Sequence, residues 1–220
     1  MSEQPASTQG SDRGSVVADA VGSAVAGATG SAAAGAPGGD PAGTPGNAPA
    51  GTPTDAPAGA PGRKPVRFAI VTCSDTRSLR EDSAGAALEG LIAAKSWECA
   101  SHVVVKDERA LIAAAIVDAV DTLKVDVVLT CGGSGLSLRD VTPEATCDVC
   151  DRNVPGIAEA MRAYSLAITP FAMLSRALCM QRGRTLVINL PGSEKAAREN
   201  WAGLVDALPH AVSMMAGSGH

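Results

Sequence analysis

Aromatic side chains make up only 2% of the 220 residues, two Trp, two Phe and one Tyr. Lys and Arg number 18 against 23 Asp and Glu, a formal net charge of -5. A polynucleotide binder needs a basic face for phosphates and flat rings on which bases stack. Neither can be assembled from this composition, so a nucleic-acid polymer is excluded as a partner, while a single nucleotide is not. No apolar run approaches the roughly 18 residues that span a bilayer, so no membrane partner is expected either. Near the N-terminus, Val16 to Ala28 is broken by glycines and Asp19, and Asp12 and Arg13 precede it rather than a basic cluster. That argues against a secretory signal and for a cytoplasmic protein.

Histidine is scarce too: His102 falls in a strand, His210 late in the last helix and His220 at the final position. With no Gly-x-Ser-x-Gly elbow, nothing assembles a Ser-His or Cys-His catalytic pair. The six cysteines, at 73, 99, 131, 147, 150 and 179, do not form the spacing of a disulfide framework. Cys147 and Cys150 make a CxxC without a second pair, after a helix start rather than a strand, which favours packing over a metal or redox role.

Residues 1–64 are almost wholly Ala, Gly, Pro, Ser and Thr, with hardly an aliphatic side chain after Val25. Such a segment buries too little surface to offset its ordering entropy, and a disordered tail is expected. Residues 65–220 hold nearly all the Leu, Ile and Val. A single domain of that size buries about 70% of its unfolded-chain surface.

Phe68 to Val71 read as an apolar strand running into Thr72-Cys73-Ser74-Asp75-Thr76-Arg77, a polar turn. Ser74 and Asp75 there either line a ligand crevice or merely satisfy backbone groups. After the capping pair Asp82-Ser83, Ala87, Leu88, Leu91 and Ile92 recur at helical spacing. His102 to Val105 predict a second strand, and Leu111 to Leu123 a second helix, with Asp107 in the cap position as its plainest role. Val127 to Leu129 predict a third strand, so the alternation indicates a largely parallel sheet with helices on both faces. Helices are then expected from Pro143 to about Asp151, from Pro155-Gly156 and from Pro170, each opening on a proline, which tolerates the first turn. The strand TLVINL from Thr185 ends in Pro191-Gly192-Ser193, and a last helix carries Ala197, Trp201, Leu204, Val205 and Leu208 on one face.

Gly132, Gly133, Ser134 and Gly135 follow the third strand directly. Glycines there permit the backbone alternation that turns successive N–H groups into an anion nest, suited to a phosphate or polyphosphate. The loop has neither the Gly-Lys-Ser/Thr of a P-loop nor the GxGxxG of a dinucleotide fold. Asp140 follows five residues later, with Thr142 placed to cap a helix and Pro143 at its first position. A carboxylate beside a phosphate nest implies a cation such as Mg²⁺ between them; the alternative is an ion pair with Arg139. Direct phosphoryl or nucleotidyl transfer is the reaction these parts support.

The stretch TCGGSGLSLRDVTPEAT resembles the TTGGTG…RDxTPEA signature of the MogA/MoaB family of molybdenum cofactor biosynthesis proteins, the molybdopterin adenylyltransferases. SDTR at Ser74 to Arg77, the Asp82 to Gly85 opening, Asp107-Glu108, PGxxEAMR at Pro155 to Arg162, TPFAMLSRA at Thr169 to Ala177 and INLPGS at Ile188 to Ser193 are similar to family blocks in family order. The resemblance covers the chain from Val66 onward and implies a three-layer α/β/α fold with a mostly parallel central sheet. It further implies trimeric or hexameric assembly and Mg²⁺-dependent transfer of AMP from ATP to the terminal phosphate of molybdopterin. Under it, Asp107 and Asp140 match the catalytic and metal-holding acids. Gly132, Gly133, Ser134 and Gly135 match the nucleotide-phosphate loop, and Ser74, Asp75, Pro191, Gly192 and Ser193 match pocket segments. Cys131 and Ser134 stand where threonine is usual in the family, and Ala84 where serine is common. A non-catalytic carrier or sensor of the cofactor on the same fold is the alternative, and a tail-mediated interaction platform a third.

Overall fold

The computed structural model describes residues 64–217; the expectation of a disordered tail falls on residues outside that range. The apolar run from Phe68 to Val71 forms the middle of β1 (Arg67–Cys73), and Phe68 and Ile70 point to one face while Ala69 and Val71 point to the other. The chain continues through α1 (Ser83–Ala94), β2 (Glu98–Val105), α2 (Arg109–Val117, prolonged by a π turn at Asp118–Thr122) and β3 (Val127–Cys131). It then forms α3 (Thr142–Val149), β4 (Arg152–Asn153), α4 (Pro155–Leu166), β5 (Cys179–Arg182), β6 (Thr185–Leu190), α5 (Glu194–Ala202) and α6 (Leu208–Met215).

The six strands stand in the order β2-β1-β3-β6-β5-β4. β2, β1, β3 and β6 are parallel, and β5 and β4 add antiparallel at one side. Parallel neighbours require helical crossovers, which cover both faces and explain why β3 and β6 are buried at every residue. On one face, Phe68, Ile70, Leu129 and Ile188 pack with Leu88, Met161, Trp201 and Leu208 of α1, α4, α5 and α6. On the other, Val71, Val128 and Val187 meet Ile112 and Ile116 of α2 and Ala145 of α3. The α/β three-layer architecture is therefore as expected. No helix among the described residues is long and apolar enough to cross a membrane.

Several local expectations are corrected. β2 begins at Glu98, earlier than His102. The segment opening at Pro170 is only a 3₁₀ turn, Pro170–Leu174, and the chain beyond it becomes β5, joined to β6 by a two-residue turn with Gly183 at φ 55°. The last helical stretch is split after Ala202. A Cβ at Gly203 would stand 2.9 Å from Tyr164 Cβ, so the close approach of α4 requires glycine there. Pro209, lacking an N–H, then sits in the first turn of a new helix. Asp107 does not cap α2; Glu108 holds the cap position without a side-chain bond. Thr142 is likewise not a cap, because Val141 precedes the helix and Thr142 is its first residue.

Two buried polar groups set the frame. Asp82 caps α1 through Gly85 N–H and also accepts from Thr72 Oγ1 and, at 2.8 Å, from His102 Nε2. Burial alone would raise its pKa, but those bonds outweigh it and hold the carboxyl below the usual range. His102 is thereby tied to the start of α1. On β6 the fully buried Asn189 donates to Thr130 Oγ1 and Thr146 Oγ1, each at 2.9 Å, and accepts from Leu178 N–H at 3.2 Å. One amide thus joins β3, α3 and the approach to β5. Asn189→Leu strands these partners inside the core and should lower unfolding stability by about 3 kcal/mol. Urea denaturation followed by tryptophan fluorescence should show a lower midpoint with an unchanged m-value.

Candidate active site at the strand ends

The register places Cys73 opposite Val105, Thr72 opposite Cys131, and Cys131 opposite Leu190. The carboxyl ends of all four parallel strands are therefore level, and the segments after them share one edge, where open α/β sheets receive ligands. A cavity of about 560 Å³ opens there. Ser74, Gly132, Gly133, Ser134, Gly135, Asp140, Pro191, Gly192 and Ser193 all line it. Asp75 and Asp107 do not; they stand beside the glycine loop.

Backbone contact brings these loops together. A Cβ at Gly132 would meet Cys73 O at 2.6 Å, and one at Gly192 would meet Gly132 Cα at 3.1 Å. Gly132 and Gly133 take φ 103° and 63°, which side-chain-bearing residues rarely adopt. Gly132 N–H bonds Leu190 O at 3.0 Å and Gly133 O accepts from Thr142 N–H at 3.0 Å, fixing the loop at both sides. The N–H groups of Gly133, Ser134 and Gly135 donate to nothing among the described residues, the condition for an anion nest.

Three carboxylates surround this nest. Asp75 and Asp107 clasp each other's backbone, Asp75 N–H donating to Asp107 Oδ2 at 3.1 Å and Asp107 N–H to Asp75 Oδ1 at 3.2 Å. Asp75 is also gripped by Arg139 at 2.7 and 2.9 Å, and that guanidinium holds its pKa down. Arg139 thus pairs with Asp75, not with neighbouring Asp140. Asp140 instead accepts from Ser137 N–H at 2.9 Å, and its Oδ2 lies 3.0 Å from where a Cβ of Gly135 would be. Asp107 is the strained member: burial, then the Asp75 charge and to a lesser degree Asp140, raise its pKa. Its Oδ1 is buried without a partner, as is Thr142 Oγ1, and the two flank Gly133, 3.2 and 2.3 Å from the position of an added Cβ.

Orphaned oxygens of this kind fit a hard cation, which takes oxygen donors. No group of three or more His, Cys, Asp or Glu able to hold a metal occurs among the described residues. Any cation would therefore need oxygens from the ligand, the pattern typical of Mg²⁺ on phosphates. The two cysteines at these strand ends offer no nucleophile, because burial pushes Cys73 and Cys131 up to about 12. Cys150 is likewise raised to about 12 by burial, and all six cysteines are free.

Known proteins share the sequence and fold of this chain. A family model described as "Probable molybdopterin binding domain" matches residues 69–210. The chain belongs to this molybdopterin-binding-domain family. The molybdopterin adenylyltransferase of Helicobacter pylori is 35% identical over 157 residues, covering 70% of this chain and 89% of that protein. The crystal structure of the molybdopterin biosynthesis enzyme MoaB from Thermus thermophilus is 44% identical and superposes with a TM-score of 0.65, covering 69% and 97% of the two chains. The tungsten cofactor synthesizing protein MoaB from Pyrococcus furiosus is 25% identical, with a TM-score of 0.63 and coverage of 72% and 99%.

Against the family pattern, Cys131 still contributes a donor, its thiol reaching Pro191 O at 3.3 Å. Ala84 is fully buried, where a methyl fills the space. Two arginines inside the family blocks, Arg77 in the cavity wall and Arg176 behind it, carry roles that the blocks alone did not reveal. Arg77, inside SDTR, donates to Gly192 O at 2.8 Å and links the first and last loops. Arg176, inside TPFAMLSRA, donates through Nε to Gly135 O at 2.7 Å and through Nη2 to Asp140 O, pairs with Glu144, and bonds Ser134 O through its own N–H at 3.0 Å. It locks the glycine loop to the carboxylate turn. A lone arginine ending an apolar run was the available signal.

Gly133→Ala combines a left-handed backbone with a Cβ driven against Thr142, and should lower stability by about 2 kcal/mol, read as a drop in denaturation midpoint. Asp107 tests the electrostatics. Its native pKa is raised, so its ionised form destabilises the fold above that pKa, and the penalty fades as pH falls through it. Asp107→Asn should therefore melt higher than wild type at about pH 7.5, with the difference vanishing below the ordinary carboxylate range. Added Mg²⁺ with a nucleotide should raise the wild-type melting temperature and leave that of Asp107→Asn nearly unmoved.

Proposed function

We propose that the chain is a molybdopterin adenylyltransferase, transferring AMP from ATP to the terminal phosphate of molybdopterin with release of pyrophosphate and dependence on Mg²⁺. The observation carrying this reading is the nest of three free N–H groups at Gly133, Ser134 and Gly135 beside unpartnered Asp107 Oδ1 and Thr142 Oγ1. Such a set suits a polyphosphate with its cation, and the adenylyltransferase relatives supply the pair of substrates.

In the reaction, a terminal phosphate oxygen of molybdopterin forms a new P–O bond to the α-phosphorus of ATP. The bond from that phosphorus to the oxygen bridging the β-phosphate breaks, and pyrophosphate leaves with the electron pair. A phosphate monoester is largely dianionic near neutral pH, so the nucleophile needs no general base, in keeping with a cavity lined by no histidine. The loop N–H groups hold phosphate oxygens in line, and Arg77 and Arg176 fix the loops that present them. Asp107 and Asp140 would hold a Mg²⁺ ion together with oxygens of the ligand, and such an ion would offset the triphosphate charge. Ser74 Oγ accepts from Thr76 and Arg77 N–H at 3.3 and 3.2 Å, leaving its hydroxyl proton to donate into the cavity. Assembly as a homotrimer or homohexamer in the cytoplasm belongs to the same reading.

Asp140→Asn should lower adenylyl transfer by about 100-fold or more while the circular dichroism spectrum and melting temperature remain close to wild type. The assay is pyrophosphate release from ATP with molybdopterin and Mg²⁺, and chelation of Mg²⁺ should abolish it in wild type. Undiminished transfer by Asp140→Asn would sink the assignment of that residue. A wild-type protein that binds molybdopterin but releases no pyrophosphate would instead be a carrier.

A further inference from the structure

Cys147 lies in the last turn of α3 and Cys150 directly follows that helix, and neither lines the strand-end cavity. The packing role read from the sequence fits only one of them. Cys150 is half-buried against the layer that holds Ile112 and Ala145, whereas Cys147 is exposed. Residues three apart on a helix are neighbours, with Cβ atoms about 5–6 Å apart, and the Cys147 sulfur stands within electrostatic reach of Cys150. A disulfide needs Cβ atoms about 3.5–4.5 Å apart, so closing the pair asks for a movement of about 1–2 Å. The residues between them are braced, because Arg109 grips Asp148 with two bonds and Arg182 donates to Val149 O at 2.6 Å. Cys150 has left the helical conformation, at φ -109° and ψ 151°, and the movement falls there. Cys179, the other thiol near Cys150, is fully buried and packs on the opposite face of the sheet. Among the described residues no third ligand turns the pair into a metal group.

We propose that Cys147 and Cys150 are a thiol–disulfide site that responds to the redox poise of small thiols, with Cys147 as the entry thiol and a low-molecular-weight disulfide such as oxidised glutathione as the oxidant. The Cys147 thiolate attacks one sulfur of that disulfide. Its S–S bond breaks, and the first glutathione leaves with the electron pair and takes up a proton. Cys150 then loses its proton to water, its sulfur attacks Cys147 Sγ in the mixed disulfide, and the second glutathione leaves as a thiol. Two protein thiols thus give up two electrons and two protons, and the small disulfide accepts both. Burial pushes Cys150 up to about 12, so its thiolate is scarce at neutral pH and ring closure is the slow step. A bridge at the exposed end of a helix is a labile one, which excess reduced thiol reopens. The pair closes only when the surrounding thiols are oxidised, and it does so whatever reaction the strand-end cavity performs.

The test uses the full chain, reduced, incubated with oxidised glutathione, quenched with acid, alkylated and cut with trypsin. Arg139 and Arg152 bound a peptide, residues 140–152, that holds these two cysteines and no other. Wild type should yield this peptide closed, resistant to alkylation and two hydrogens lighter than the dithiol, and excess reduced glutathione should restore both thiols. Cys150→Ser should stop at a lasting adduct of one glutathione on Cys147, and Cys150→Ala serves if the serine variant folds poorly. Cys147→Ser should slow modification of the peptide by about tenfold or more. In wild type, conversion of the mixed disulfide to the closed form should speed up about tenfold per pH unit from pH 7 to pH 9, as the Cys150 thiolate becomes more abundant. Both thiols left free in wild type, an adduct that persists there as it does in Cys150→Ser, or a bridge from either cysteine to any other residue would each overturn the proposal.

Discussion

The carbonyl of Cys73 stands where a side chain at residue 132 would have to be, and that near-contact between two backbones governs the whole strand-end region. Because β1, β3 and β6 finish level, their following loops compete for the same space. Glycine at 132 is what lets them meet, and glycine at 192 eases the approach. Once they meet, Gly133 is pressed between Thr142 and Asp107, and Gly135 lies beneath the Asp140 carboxylate. The glycines therefore act twice: as the absence that allows three loops to converge, and as the source of uncrowded N–H groups.

An excess of carboxylates around a phosphate nest is electrostatically unfavourable when nothing occupies it. The fold manages this unevenly. Asp75 is neutralised by Arg139, Asp140 is folded onto the backbone of its own turn, and Asp107 retains a buried oxygen with no partner. Stability is given up at one residue, beside the glycine loop, while the other two acids are held by partners. A pattern of this kind is expected where binding a metal with its polyanion restores what the empty fold lacks.

Strands β1, β3 and β6 were legible because they are buried on both faces and read as uninterrupted apolar runs. β5 was not, since CMQR is half polar and lies one strand from the sheet margin. The start of β2 was obscured similarly, because Glu98 to Ser101 belong to a margin strand whose burial is incomplete. The break at Gly203 depends on Tyr164, distant in sequence. In the candidate site, the glycine loop and Asp140 declared themselves through local spacing. Arg77, Arg139 and Arg176 did not, because each acts on a partner from another loop, 115, 64 and 41 residues away. Local pattern locates the loops; the clasps between them exist only after folding.

Residues 199 to 201 occupy less than one turn of α5, yet they face two different worlds. Trp201 is 4% exposed and meets Phe68 and Trp97 at ring separations of 5.9 and 6.0 Å, while Glu199 and Asn200 line the cavity. Three of the five aromatic rings in the protein are thus gathered behind the wall on which the ligand would rest. Because both sides hang on one stretch of backbone, a substitution at Phe68 or Trp97 that reseats Trp201 should also shift Glu199 in the cavity wall, although neither ring lines the cavity.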